Sequence, residues 1–300
     1  MHKYLRAIGF SEYNTKKDID DFFLKHLNEE NLMSTYTSTD GRRIGQYRIF
    51  VCHNASIHII GEDDNKKIAN IDFYYPMLKG HDYSLIQECT IEKHSDKDSF
   101  AGVIDDYRLG IALIFYLTNT NEYNQILNSK DLQNIKVSKI FLSALSIEGK
   151  IILPLKKDKK AVSEFLSDKS DVAVVEPQND YYDKKDNSEF LSLVNNDMSM
   201  YEVVTERYKK EDLYSIVDTS MIPYGVECDK YMIVAEILSV SHKINSFTNE
   251  KLVEMRVNSL GMVFNIMINE KDLIGEPKPG RRFSGVIWLQ GEIEFLRKNK

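Results

Sequence analysis

The chain has 300 residues, of which 42% are hydrophobic and 28% charged, with 17 tyrosines and 14 phenylalanines, the composition of a folded protein rather than a disordered one. A formal charge of −7 argues against a protein whose chief task is to neutralise phosphates. Cys52, Cys89 and Cys228 are odd in number, widely spaced and form no C-x-x-C pair, so neither a disulfide framework nor a zinc ribbon is indicated, and a reducing compartment is expected.

Residues Tyr4 to Phe10 are compact and apolar, and the next segment, "NTKKDIDDFFLKHL", spaces Ile19, Phe22, Phe23 and Leu27 by three and four. That spacing predicts an amphipathic helix opened by an Asn or Thr cap. "QYRIFVCH", "ASIHIIGE" and "KIANIDFYYPML" are rich in β-branched and aromatic residues and predict a three-stranded antiparallel meander, with "QECTIEKH" as a fourth strand. The stretch 105–127, apolar nearly all round in its middle, predicts a buried helix at the centre of the first domain, with Asp105 or Asp106 as its cap. "KIFLSALSIEGKIILPL" reads as two strands joined in a tight hairpin at Glu148 and Gly149.

Between 156 and 188 the composition becomes charge-dense, as expected of a linker, and helical periodicity returns over 189–229. From Lys230 onward, four to five short strands in about seventy residues suggest a small closed barrel of OB-like size. The fold class is therefore α+β. It comprises an N-terminal antiparallel sheet with a buried helix (1–155), a charged linker (156–188), a helical connector (189–229) and a C-terminal OB-like β-barrel (230–300). The sequence opens without an apolar stretch of signal-peptide length, and no run is long enough to span a bilayer, so a cytoplasmic chain without membrane contact is expected.

Three groups of residues are candidates for chemistry. In "GRRFSGVIWLQGEI", strand alternation sets Phe283 and Trp288 on opposite faces. Arg281, Arg282, Trp288 and Gln290 are the candidate ligand-binding set, because an arginine pair beside an exposed indole is the stacking platform of a single-strand-binding barrel. Residues 230–300 hold eleven Lys or Arg against eight Asp or Glu, a weak basic excess that favours strand closure around a buried indole over nucleic acid. His94, Asp96 and Asp98 alternate and would share one face if the strand extends that far, a spacing at which histidine and carboxylates could hold a divalent metal. The loop fails as an EF-hand, with Ala101 at its sixth position and Tyr107 at its twelfth. In "DTSMIPYGVECDKY", Asp218, Tyr224, Glu227 and Asp229 flank a Pro-Tyr-Gly turn. Carboxylates gathered there would act as general acid and base if burial separated their pKa values. Cys228 has no histidine within ten residues to activate it. Phosphate-loop, dinucleotide, hydrolase-elbow and zincin signatures are absent.

"MHKYLRAIGF", "SFAGVIDDYRLGIALIFYLTN", "SIVDTSMIPYGVECDKY", "INEKDLIGEP" and "GRRFSGVIWLQGEI" together resemble a family of uncharacterised clostridial and gut Firmicutes proteins, the domain-of-unknown-function family numbered 3881. The resemblance implies family membership across nearly the whole chain. It carries over no catalytic residue.

An organised chain without a convergent catalytic constellation is read as a non-enzymatic binding or protein-interaction module that uses no cofactor. Its partner is expected to be a protein or small molecule in a groove between domains. The alternatives are a metal- or carboxylate-dependent hydrolase and single-stranded nucleic-acid binding through the C-terminal barrel.

Overall fold

The computed structural model describes residues 2–38, 41–64, 67–81, 89–93, 99–106, 111–128, 135–152 and 219–297. The linker 156–188 and the connector as far as residue 218 lie outside the described residues.

A 3-10 helix, Lys3–Ile8, opens the chain and buries Tyr4, Leu5, Ala7 and Ile8. Helix α1 (Lys16–His26) follows the sequence expectation: Thr15 caps it, accepting from the Asp18 backbone N–H while the Asp18 carboxylate accepts from Thr15. Its Ile19, Phe22 and Phe23 face inward. Strands β1 (Leu32–Thr37), β2 (Arg43–Phe50), β3 (Ala55–Asp64) and β4 (Lys67–Leu78) then form a four-stranded antiparallel sheet in chain order. The predicted meander is its last three strands.

The remaining strands are β5 (Thr90–Lys93), β6 (Phe100–Asp106), β7 (Ile111–Leu117), β8 (Ile135–Ile152), β9 (Ser220–Pro223), β10 (Lys230–Ile244), β11 (Lys251–Ser259), β12 (Met262–Asn269), β13 (Leu273–Ile274) and β14 (Arg282–Arg297). Helix α2 (Thr120–Asn128) lies between β7 and β8. All ten strands belong to one sheet. Strand β5, expected to continue the meander, pairs with β6 instead.

The predicted buried helix over 105–127 is corrected. Asp105 and Asp106 end strand β6, Ile111–Leu117 is strand β7, and among the described residues of the stretch only those from Thr120 onward, in Thr120–Asn128, are helical. A short apolar run has the same appearance in a buried helix and in a strand buried on both faces. Strand β7 buries Leu113, Phe115 and Leu117 on one face and leaves Ile114 and Tyr116 half-buried on the other, and it pairs antiparallel to β6 and parallel to β14. The expected hairpin at Glu148 and Gly149 is likewise absent, since β8 runs unbroken through both residues. The helical connector also fails at its end, where Ser220–Pro223 is a strand paired with β10.

Strands β10, β11 and β12 form an antiparallel meander, and β14 pairs with β10. These four do not close on themselves. Strand β8 lies between β12, to which it is parallel, and β14, to which it is antiparallel, completing a circuit of pairings. A strand from the first half of the chain is thus inserted among those of the second. Consistently, residues 1–153 and 219–300 form one compact unit, where the sequence reading divides them between two domains.

Strand alternation sorts the side chains of this circuit into two cores. Ile140, Leu142 and Ala144 of β8, Val253 and Met255 of β11, Phe264 and Ile266 of β12, and Phe283, Ile287 and Leu289 of β14 share one core. Leu145, Leu252, Met267 and Trp288, from the opposite faces, join the 3-10 helix, α1 and the four-stranded sheet in the other. Phe283 and Trp288 do face opposite ways.

Candidate functional site

The metal candidates His94, Asp96 and Asp98 and the acid candidate Asp218 lie outside the described residues. Among the described residues, no group of three or more His, Cys, Asp or Glu side chains is placed to hold a metal ion. No helix among them is long and apolar enough to cross a membrane.

Of the other acid–base candidates, Tyr224, Glu227 and Cys228 are exposed in the turn between β9 and β10, where Gly225 takes a positive φ of 76°. Glu227 forms an ion pair with Lys230. Burial, followed by the neighbouring Lys3, pulls the Lys230 ammonium down to about 8. Asp229 accepts a 2.7 Å hydrogen bond from the indole Nε1 of Trp288. One residue from each predicted set therefore meets the other, as a structural pair.

The ligand-binding candidates on β14 are mostly inside. Arg282 and Trp288 are each 4% exposed and Gln290 is fully buried. Gln290 accepts from the Leu78 backbone N–H at 3.0 Å and donates to the Pro76 carbonyl at 2.8 Å, fastening β14 to β4. Tyr4, Tyr116 and His2 surround the indole, with ring centroids 4.7–5.4 Å away. Arg281 alone reaches outward, donating to the Glu276 carbonyl at 2.7 Å. The exposed stacking surface that single-strand binding requires is not assembled by these side chains.

Two polar networks that the motifs did not indicate join the N-terminal part to the β10–β12 meander. In the first, buried Glu250 accepts from Ser11 Oγ at 2.6 Å and from Asn269 Nδ2, with the Lys271 ammonium 3.5 Å away. Alongside it, Arg6 forms two 2.7 Å bonds to Asp272, the bidentate geometry of a strong pair. These contacts dock the first 3-10 helix.

The second network centres on the buried carboxylate of Glu254, on β11. Asn54 Nδ2 and Asn265 Nδ2 donate to its Oε1 at 2.5 and 2.7 Å, and Ser241 Oγ donates to its Oε2 at 3.2 Å. The Lys243 ammonium stands 3.9 Å from Oε2, and His81 Nε2 3.8 Å from Oε1. Asn54 also donates to His81 Nε2 at 3.1 Å, with that imidazole nitrogen as acceptor. Its side-chain oxygen receives the Cys52 thiol at 3.7 Å. Both oxygens of the Glu254 carboxylate are thus occupied by hydrogen bonds from neighbouring side chains. What the network provides is a fixed floor.

Above that floor is an open depression of about 760 Å³, lined by Phe50, Val51, Cys52 and His53 on one side and by His242, Lys243, Ile244 and Ser246 on the other. A 2.9 Å bond from the Ser246 N–H to the Val51 carbonyl ties the two sides together. Phe50 and Ile244 are 55% and 60% exposed, so apolar surface lies beside two imidazoles, an ammonium and a thiol. Among the described residues no carboxylate lines the depression itself, although Glu270 stands 4.0 Å from His242 behind it. Such a surface suits a ligand that carries both negative charge and apolar groups. One sequence signal was available: Glu254 sits inside "LVEMRV", and a carboxylate in a strand with apolar neighbours on both sides needs fixed partners when buried.

The sequence profile of a family described as "Domain of unknown function, E. rectale Gene description (DUF3881)" matches residues 5–291. No curated protein and no solved structure matches the chain.

Proposed function

Since the chain belongs to the DUF3881 family, which is defined by sequence and brings no activity with it, we propose from its side chains that it is a cytoplasmic, non-enzymatic binding protein. Its ligand surface is the depression between residues 50–53 and 242–246, and the partner is an acidic peptide segment with apolar side chains. One observation carries this reading: Phe50 and Ile244 stand exposed beside His53, His242 and Lys243 on a floor fixed by Glu254.

Calorimetric titration with peptides that alternate acidic and apolar residues tests the proposal. Binding is expected, weakened at least about tenfold by Lys243→Glu, since a charge reversal at an interface is worth more than about 1.4 kcal/mol. Failure of every such peptide, or binding indifferent to Lys243→Glu and His242→Glu, overturns it.

The pairing circuit supports reading strands β8, β10, β11, β12 and β14 as an OB-like barrel closed by β8. Single-strand binding through it is disfavoured by the burial of Arg282 and Trp288. The hydrolase alternative is weakened in the described residues by the engagement of Asp229 with Trp288 and of Glu227 with Lys230.

A further inference from the structure

We propose a second binding site, for a small oxyanion, at Arg48 and His58 of the four-stranded sheet. Arg48, His58 and Tyr75 lie directly opposite one another on β2, β3 and β4. Alternation places them on the face away from Tyr47, Ile49 and Ile57. Arg48 Nε and His58 Nε2 are both shut off from solvent and have no hydrogen-bond partner. Buried polar atoms are nearly always paired, so two orphans on one cross-strand row call for an occupant.

The charges point the same way. Among the described residues no carboxylate pairs with Arg48. Its guanidinium lies over the Phe50 ring, 5.7 Å from Cζ to the centroid, and feels Tyr75 and Glu292 only at longer range. Burial, followed by the adjacent guanidinium, holds His58 well below its ordinary pKa, so the imidazole is neutral and carries one proton. The Tyr75 hydroxyl is 3.3 Å from both His58 Nδ1 and the Thr118 carbonyl. The hydroxyl donates its one proton to that carbonyl and so accepts from Nδ1, which leaves the imidazole proton on Nδ1 and a bare lone pair on Nε2; the row presents a cationic donor beside a neutral acceptor. A protonated oxyanion such as hydrogen phosphate accepts from Arg48 Nε, donates its remaining proton to His58 Nε2 and supplies the missing negative charge.

Thermal unfolding of the full chain in phosphate, sulfate, acetate and succinate, at ionic strength fixed with chloride, tests this site. Phosphate, which keeps a proton near neutral pH, should raise Tm by several degrees, and sulfate and acetate, which carry none, should do so less. Arg48→Met should abolish the rise while leaving the anion-free protein of similar stability, because the half-buried guanidinium it removes has an Nε without a partner. Lys243→Glu, which disrupts the depression of the proposed function, should leave the rise intact, so the two readings fail separately. Nitrogen NMR of His58 gives a readout independent of unfolding, with Nε2 expected to shift on addition of the effective anion. An equal rise in parent and Arg48→Met would reflect a general salt effect. No rise and no shift would mean that water fills the row. Either result overturns the site.

Discussion

The indole of Trp288 donates to the carboxylate of Asp229 across 2.7 Å, and the Leu289 N–H beside it bonds the Asp229 carbonyl at 2.9 Å. The chain's only tryptophan is thus a reporter of its own burial. Its emission is expected to be blue-shifted, weakly quenched by iodide and unchanged by single-stranded oligonucleotides at any salt concentration. Asp229→Ala, which leaves the indole N–H without its acceptor, should cost about 1–3 kcal/mol in chemical denaturation. Emission at solvent-exposed wavelengths would contradict the arrangement.

A Cβ added at Gly102 would lie 2.1 Å from the Phe115 ring, and one at Gly291 would lie 2.3 Å from it. The ring therefore occupies space left by two glycines, on β6 and β14. Gly291→Ala is expected to destabilise by about 1–3 kcal/mol through overpacking. Combining it with Phe115→Leu should recover part of that loss, and a double-mutant cycle measures the coupling. Strict additivity would show that the ring is not seated there.

These glycines show where the sequence was legible. The helix cap at Thr15, the β2–β4 meander and the opposite facing of Phe283 and Trp288 all follow from local spacing, and the structure has them. Gly149 reads locally as a turn, yet it lies within a continuous strand, and a Cβ there would meet the Phe283 ring at 2.3 Å. That reason is tertiary, and no window of sequence contains it. The same holds for β7, whose place in the sheet is set in part by pairing with a strand about 170 residues away. The depression was equally hidden, because Cys52 and Lys243 acquire their relation only through the Val51–Ser246 bond and the shared floor at Glu254.

Docking of the N-terminal 3-10 helix should depend on pH through Glu250. Burial pushes its carboxyl up, but bonds from Ser11 and Asn269 and the Lys271 ammonium outweigh this and hold it below the ordinary value. A carboxyl with a depressed folded-state pKa contributes stability that is fully present above its unfolded pKa and is lost as pH falls through the folded value. Unfolding free energy should therefore decline below about pH 4.5. Glu250→Gln should be less stable at neutral pH and show a shallower decline. Parallel acid titrations of parent and variant would refute the assignment.

Glu254 offers the most direct link between the fold and the proposed ligand surface. Replacement by alanine strands two amides, a hydroxyl and the Lys243 ammonium, and is expected to cost about 3–5 kcal/mol. Glu254→Gln preserves more: its oxygen can still accept from Asn54 and Asn265, and its amide can donate to Ser241 if that hydroxyl turns. It cannot satisfy Lys243, whose ammonium stands 3.9 Å from the native carboxylate. The lysine then faces the depression with its charge uncompensated. Glu254→Gln should consequently be modestly destabilised, by about 1–2 kcal/mol, while binding acidic peptides several-fold more tightly than the parent. Calorimetric titration alongside thermal unfolding separates the two effects. Weaker peptide binding in this variant would mean that the carboxylate itself, and not the lysine it restrains, faces the ligand.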